Sequence, residues 1–310
     1  SLMELVPGTC AERYLAFKNT QGSQITFEDI AAEEKRLGLD KPFLYRYTKW
    51  VSDIVIKQDF GDSCILRISI NELLSGRFVL SLTIAITALL FSYAIAIPVG
   101  IISATTKYAS LDNALKFISY LGIALPNFLV ALCIMLFMTV YYGDTMTGLF
   151  SQEYENAPWS TAKVQDFLSR AWLPIFVLGW NATAFALQTV RALMLDENDK
   201  LYVMAARARG VSGMSLLWRY PAKHSLGPVI NSIGFDLNRI FSALPVVALI
   251  LILTEAGALL IEALARSNDQ QLAGAIIFLL TATIVFVNFV TDIILAIMDP
   301  RIRKGVMGGS

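Results

Sequence analysis

Charge is what this chain has least of. Only 16% of its 310 residues are charged, against 55% hydrophobic, where a soluble domain carries about a quarter charged residues. The deficit points to a membrane protein. The 25 basic and 25 acidic side chains cancel, which argues against a nucleic-acid partner held through a general basic surface. One histidine, His224, and three cysteines without metal-like spacing leave little scope for metal or histidine chemistry. Of those cysteines, Cys10 and Cys64 share one polar region and either pair or remain two thiols, while Cys133 lies apart. The sequence contains no G-x-x-x-x-G-K-[ST] phosphate loop, so this chain is not expected to be an ATPase.

What it has in quantity is long apolar stretches. Five runs, Phe78–Thr106, Phe117–Gly143, Ala171–Val190, Ser225–Thr254 and Gln270–Thr291, each reach the roughly 20 residues that a spanning helix needs. Residues 1–8, SLMELVPG, read as the exit end of a first helix. The expected fold is an all-α polytopic membrane protein with five complete spans and a truncated first one. Residues 9–76 form a small polar N-terminal region, residues 77–298 the transmembrane core, and residues 299–310 a tail. In the polar region, Ile25–Leu37 reads as a surface helix capped by Thr26 with Asp29 three residues on, and stopped by Gly38. An amphipathic stretch, Tyr45–Ile56, follows. Pro98, Pro126, Pro174 and Pro245 lie inside apolar runs and read as breaks in those helices.

Orientation follows from the basic residues of the short connections. The 107–116 link carries Lys107 and Lys116, the 191–224 link carries Arg191, Lys200, Arg207, Arg209, Arg219 and Lys223, and the tail carries Arg301, Arg303 and Lys304. The alternate links hold only Lys163, Arg170 and Arg266. The basic links and the tail are therefore expected in the cytoplasm, with residues 9–76 and the 144–169 loop on the far side. Trp159 and Trp172 suit that loop to the membrane interface.

The cytoplasmic link 192–224 holds the most informative stretch. Tyr202–Ala208 is expected to be helical and to stop at Gly210, which accepts a left-handed conformation. Ser212 is placed to cap a second short helix, Gly213–Tyr220, which Pro221 closes. Ala205, Ala206 and Ala208 would let another backbone approach closely, and Val203, Leu216, Leu217 and Trp218 would supply apolar anchors. The residues alone fit two roles equally, a grip for another protein or a hairpin that snorkels basic residues to headgroups.

YVMAARARGVSGMSLLWRYPAKHSLGPVI, from Tyr202, resembles the cytoplasmic coupling loop of permease subunits in binding-protein-dependent ABC importers. The form is that of the B-type subunit of the peptide/nickel family, which includes oligopeptide and dipeptide permeases. Pro7–Gly8, LGLDKPF before Trp50, DFGDS at Asp59–Ser63, IPVGIISA at Ile97–Ala104, GIALPNF at Gly122–Phe128 and DPRIR at Asp299–Arg303 resemble the family in the same order. The resemblance implies the type I importer fold and a non-catalytic, multi-pass subunit of the bacterial inner membrane. It implies a heterodimer with a second permease, two ATP-binding subunits that bind ATP and Mg and grip Tyr202–Trp218, and a periplasmic substrate-binding protein. No cofactor is implied on this chain itself. The implied activity is ATP-driven import of peptides or similar polar solutes. An opine, sugar or nickel-chelate importer is the nearest alternative. Two departures stand out: Met204 where the family often has a glutamate or other polar residue, and AGALLIEALARSNDQQLAG after Glu255 in place of a Phe-x-x-Pro-Gly-Leu-Gly-like segment.

An ion-coupled secondary transporter, the rival from another class, needs repeated halves with unwound binding helices, and no such repeat is visible. Candidate translocation-path residues are Asn181, Gln188, Asp236, Arg239 and Glu255. Asn181 and Gln188 more often serve as interhelical hydrogen bonders. Asp236 and Arg239 share a helix face at i,i+3. They either line the path or neutralise each other against the partner permease.

Overall fold

The computed structural model describes residues 9–20, 26–106, 108–143, 146–155 and 157–298. The expectations for residues 1–8 and 299–310, including Pro7–Gly8 and the DPRIR motif, lie outside those residues. The regular elements are helices: α1 Cys10–Thr20, α2 Phe27–Arg36, α3 Phe43–Ser52 and α4 Ile70–Leu74 in the polar region, then α5 Arg77–Thr105, α6 Ala109–Ala124 and α7 Asn127–Tyr142. They continue as α8 Thr161–Asn198, α9 Leu201–Ala208, α10 Gly213–Arg219, α11 Pro221–Asn231, α12 Ile233–Leu251, α13 Ala256–Ile261 and α14 Gln270–Met298. π-helical turns extend α3 (Asp53–Lys57) and α13 (Glu262–Ser267).

Two compact units divide the chain. The first comprises residues 1–82 with 252–281, so the polar N-terminal region packs with a later stretch of the chain. Its local signals work as read. The Thr26 hydroxyl accepts from the Asp29 N–H while Asp29 accepts from the Thr26 N–H, a reciprocal capping box at the start of α2. Gly38, at φ +67°, turns the chain out after it. But α4 is only five residues long, too short to persist without tertiary packing. Ile70, Leu73 and Leu74 find it against Leu259, Leu260 and Ile276 of α13 and α14. A Cys10–Cys64 disulfide ties α1 to the turn before α4, which settles the pairing left open above. Asp269 fastens the same turn, accepting from the Ser63 hydroxyl at 2.7 Å and the Cys64 N–H at 2.8 Å.

The second unit comprises residues 83–251 and 282–310, and α8 is its centre, packed against α6, α7, α11 and α12. Four helical stretches are long and apolar enough to cross a bilayer: Ile70–Thr105, Thr161–Asn198, Ile233–Leu251 and Gln270–Ile297. The expected run Phe117–Gly143 is not one straight helix. It bends by 101° between α6 and α7, because Leu125 is extended ahead of Pro126, as a residue before proline prefers. Of the four prolines read as breaks, this is the one that breaks its helix. Pro98, Pro174 and Pro245 sit inside α5, α8 and α12. The run Ser225–Thr254 instead divides at Ser232, between α11 and α12, where the Ser232 hydroxyl donates to the Val229 carbonyl at 2.8 Å. The run Ala171–Val190 is the middle of a 38-residue helix. That helix begins inside the expected loop, at Thr161, with the Ser160 hydroxyl accepting from the Lys163 N–H.

Candidate functional site: the α9–α10 hairpin and the Asp236 cluster

The hairpin folds by local rules. Gly210 takes φ +85°, and its N–H bonds the Arg207 carbonyl at 2.9 Å while the Val211 N–H bonds the Ala206 carbonyl at 3.2 Å. This pair of bonds is the Schellman closure of a helix end, which needs a left-handed residue at that position. Val211 also packs on Ala206, the apolar contact that accompanies the motif. Ser212 occupies the N-cap of α10, yet its hydroxyl makes no capping bond, contrary to the expectation for it.

The faces of the two helices differ from the expected ones. Val203, Ala206 and Leu216 are buried together, with Tyr202, Val211 and Tyr220 against them, as a small core between α9 and α10. They are therefore not outward anchors: two helices this short hold their angle by interlocking their own apolar side chains. Leu217 packs toward Ile101, Val190 and Ala222. The outward surface is made by Leu201, Met204, Ala205, Ala208, Met214 and Trp218, with Arg207 and Ser212 exposed beside it. Met204, the departure from the family pattern, thus adds apolar surface to the exposed face. The hairpin is braced to its neighbours. Tyr202 hydrogen-bonds Glu197 at the end of α8 and sets its ring edge-on to His224 of α11 at 5.0 Å. Arg207 donates to Asn198 at 2.7 Å. Burial, together with Glu197, pushes the Tyr202 phenol well above its ordinary pKa, so it stays a donor.

Immediately beyond α11 lies a polar cluster. Asp236 and Arg239 form an ion pair of 3.0 Å in the opening turns of α12, not deep within a long helix, because the break at Ser232 puts them near its start. Asp236 is buried and accepts from the Tyr93 hydroxyl of α5 at 2.6 Å. The Arg239 guanidinium stacks 3.8 Å from the centre of the Phe185 ring on α8. Its side chain remains 38% exposed, which leaves most of its N–H donors uncommitted.

The other candidate path residues have separate fates. Asn181 bridges α8 to α6 by donating to the Gly122 carbonyl at 3.1 Å. The Gln188 amide nitrogen is buried without a partner. Glu255 is fully buried. It hydrogen-bonds Ser81 and accepts from the Gly257 and Ala258 N–H groups at 2.7 and 3.1 Å. It is the N-cap of α13 and has no oxygen left over for a solute. Burial pushes its carboxyl up.

Two polar groupings escaped the sequence reading. Tyr93 had no local signal, since its partner lies 143 residues away. Asp112 pairs with Lys116 at 2.6 Å and with Arg191 at 3.0 Å, and takes the Ser103 hydroxyl at 2.6 Å. The i,i+4 spacing to Lys116 was readable, and the bond from α8 was not.

A family model, the binding-protein-dependent transport system inner membrane component, matches residues 96–304, more than half of the chain. The chain belongs to that family. It is thus a membrane component of a binding-protein-dependent transport system, and the ion-coupled secondary transporter falls away. The oligopeptide transport system permease protein AppB of Bacillus subtilis (strain 168) is 29% identical over 270 residues, which cover 87% of this chain and 83% of AppB. The inner membrane ABC transporter permease protein YejB of Escherichia coli O157:H7 is 30% identical over 281 residues, 89% of this chain and 76% of YejB. Among solved structures, a chain of the inward-facing MetNI methionine ABC transporter superposes with a TM-score of 0.58 over 73% of this chain and 96% of that one, at 16% identity. The fold is that of a type I ABC importer membrane domain.

Proposed function

We propose that this family member is the permease half of an ATP-driven importer of peptides or similarly sized polar solutes. It works beside a second permease, two ATP-binding subunits and a substrate-binding protein on the outer side. The observation that carries the reading is the α9–α10 hairpin. Its core is internal, so its outer face, with Met204, Met214 and Trp218 exposed, is free to enter a cleft on another protein. It is braced through Glu197 and Asn198 to α8 and continues into α11, so a push on the hairpin reaches the central helix of its unit. ATP is hydrolysed on the partner subunits, and this chain transmits the motion without catalysing a reaction.

The Asp236–Arg239 pair is the part of the proposed path suited to a zwitterionic solute, since Arg239 retains free donors for a carboxylate. The peptide class rests on the printed activity of AppB. Sidedness is supported by the basic links and by the Cys10–Cys64 disulfide, because disulfides persist in oxidising compartments. Both support a position for residues 9–76 outside the cytoplasm.

Co-purification tests the reading. Met214→Asp and Trp218→Asp alter exposed positions and leave the internal hairpin core intact. Both variants are expected to lose the ATP-binding subunits and solute-stimulated ATP hydrolysis while the permease still inserts. Full retention of both in both variants would show that the ATP-binding subunits grip elsewhere.

A further inference from the structure

The helix α3 has no buried residue, although α3 and the π-helical turn after it, Phe43–Lys57, are strongly patterned. Leu44, Tyr47, Val51 and Val55 recur at i, i+3, i+7 and i+11, the spacing of one helix face, and all four are exposed, Leu44 and Val55 at 71%. Fifteen residues are too few to cross a bilayer, which takes about 20. We propose that Phe43–Lys57 lies flat in the lipid headgroup layer, its apolar face sunk into the membrane and its flank toward anionic phosphates.

The depth of the helix argues for lipid. On its inner side Ile54 is buried, and the Trp50 ring meets Phe278 edge-on at 6.4 Å, beside Gly274. Phe278 belongs to α14, eight residues into the span that starts at Gln270, or about 12 Å at the rise of an α-helix. The contact therefore fixes α3 against the first turns of a span, at the level where acyl chains give way to headgroups. The composition fits that level. Tyr45, Tyr47 and Trp50 are the side chains that favour the membrane–water interface, and an apolar face with a basic flank is the pattern of a helix lying in it. Lys41 and Lys49 are exposed and carry no ion pair among the described residues. They are available to phosphates. The inference rests on α14 crossing the bilayer and is independent of which solute is carried.

Spin labels report the environment of each position in the assembled transporter, reconstituted in nanodiscs containing anionic lipid. Single cysteines at Leu44, Val51 and Val55, and at Lys49 and Ser52 as controls, are introduced in a Cys133→Ser background that keeps the Cys10–Cys64 disulfide. Relaxation by oxygen, which concentrates in lipid, is expected to exceed relaxation by a water-soluble paramagnetic chelate several-fold at Leu44, Val51 and Val55, with the order reversed at Lys49 and Ser52. Equal chelate access at all five positions would overturn the proposal in favour of water. If neither reagent reached Leu44, Val51 or Val55, a protein partner would cover the face, and the proposal would fail in that direction.

Discussion

The Tyr93 hydroxyl lies 2.6 Å from Asp236 and 3.1 Å from the Ser232 hydroxyl, so one phenol on α5 touches both the break after α11 and the first turn of α12. Tyr93→Phe removes this tie without changing the ring. A hydrogen bond to a charged group is worth about 1.5–3 kcal/mol, and the thermal midpoint of the assembled transporter should fall accordingly. In an Asp236→Asn background the same substitution should cost less. Equal costs in both backgrounds would mean that the two side chains are not coupled.

The ion pair makes a second, asymmetric prediction. Arg239→Gln leaves Asp236 buried without its cation, whereas Asp236→Asn with Arg239→Gln leaves no charge behind. Removing one partner of a buried pair costs about 3–5 kcal/mol, while replacing both is often neutral. Because Arg239 is partly exposed, the single variant should fall toward the lower end of that range or below it. The double variant should be nearly as stable as the native protein, which makes it the right tool for transport. Slower uptake at normal assembly supports a place on the solute path. Unchanged uptake of every solute tested removes the pair from it.

What could be read in the sequence was whatever is decided within a few residues. Thr26 with Asp29, and Gly210 after Ala208, are local signals, and both helix ends fall where those residues put them. The apolar runs Phe78–Thr106, Ala171–Val190 and Gln270–Thr291 are equally legible, because a bilayer demands length and composition alone. Failure began where the outcome depends on distant neighbours. Pro174 and Ser232 illustrate it: the proline lies within a helix and the serine marks a break, where the Val229 carbonyl accepts from the Ser232 hydroxyl and from Tyr93 of distant α5. The faces of α9 and α10 were misassigned for the same reason. Nothing in eight residues says which side of a short helix will meet the next one. Glu255 reads from the sequence as a candidate path residue; it caps α13 through the N–H groups of Gly257 and Ala258, and the bond that ties it to α5 comes from Ser81, 174 positions earlier.

Glu33 provides a pH-dependent prediction in the polar region. It binds Arg36 at 2.7 Å and Arg67 at 2.9 Å, joining α2 to the turn before α4. Burial pushes its carboxyl up, but the two guanidinium groups outweigh burial and hold it below its ordinary value. A carboxyl with a depressed folded pKa binds fewer protons folded than unfolded, so stability rises with pH across that interval. The contribution is complete above the unfolded glutamate value, about 4.3, and is lost as the pH falls through the lower folded one. Protease protection of α2 should therefore differ between native protein and Glu33→Gln by a constant margin near neutrality. That margin should shrink in acid. A margin that grew with acid would reverse the sign and refute the assignment.

Gly234 of α12 faces the Asn288 side chain of α14. A Cβ built on Gly234 would stand 1.5 Å from the Asn288 Oδ1 and 2.6 Å from its Cγ, so even one methyl group has no room. All three nearest atoms belong to that one side chain, which makes the conflict local and reversible. Gly234→Ala should push the two helices apart or force Asn288 out of its rotamer, at the cost of about 1–3 kcal/mol typical of overpacking. Asn288→Ala removes the obstructing atoms, so the pair Gly234→Ala with Asn288→Ala should recover most of the loss. The measurement is the thermal midpoint of the assembled transporter for the two single variants and the double. Recovery in the double identifies a steric contact between these two residues. If the double were as unstable as the sum of the singles, the glycine would instead be required for backbone freedom in the turn after Ser232, and the predicted close approach would not be what limits the position.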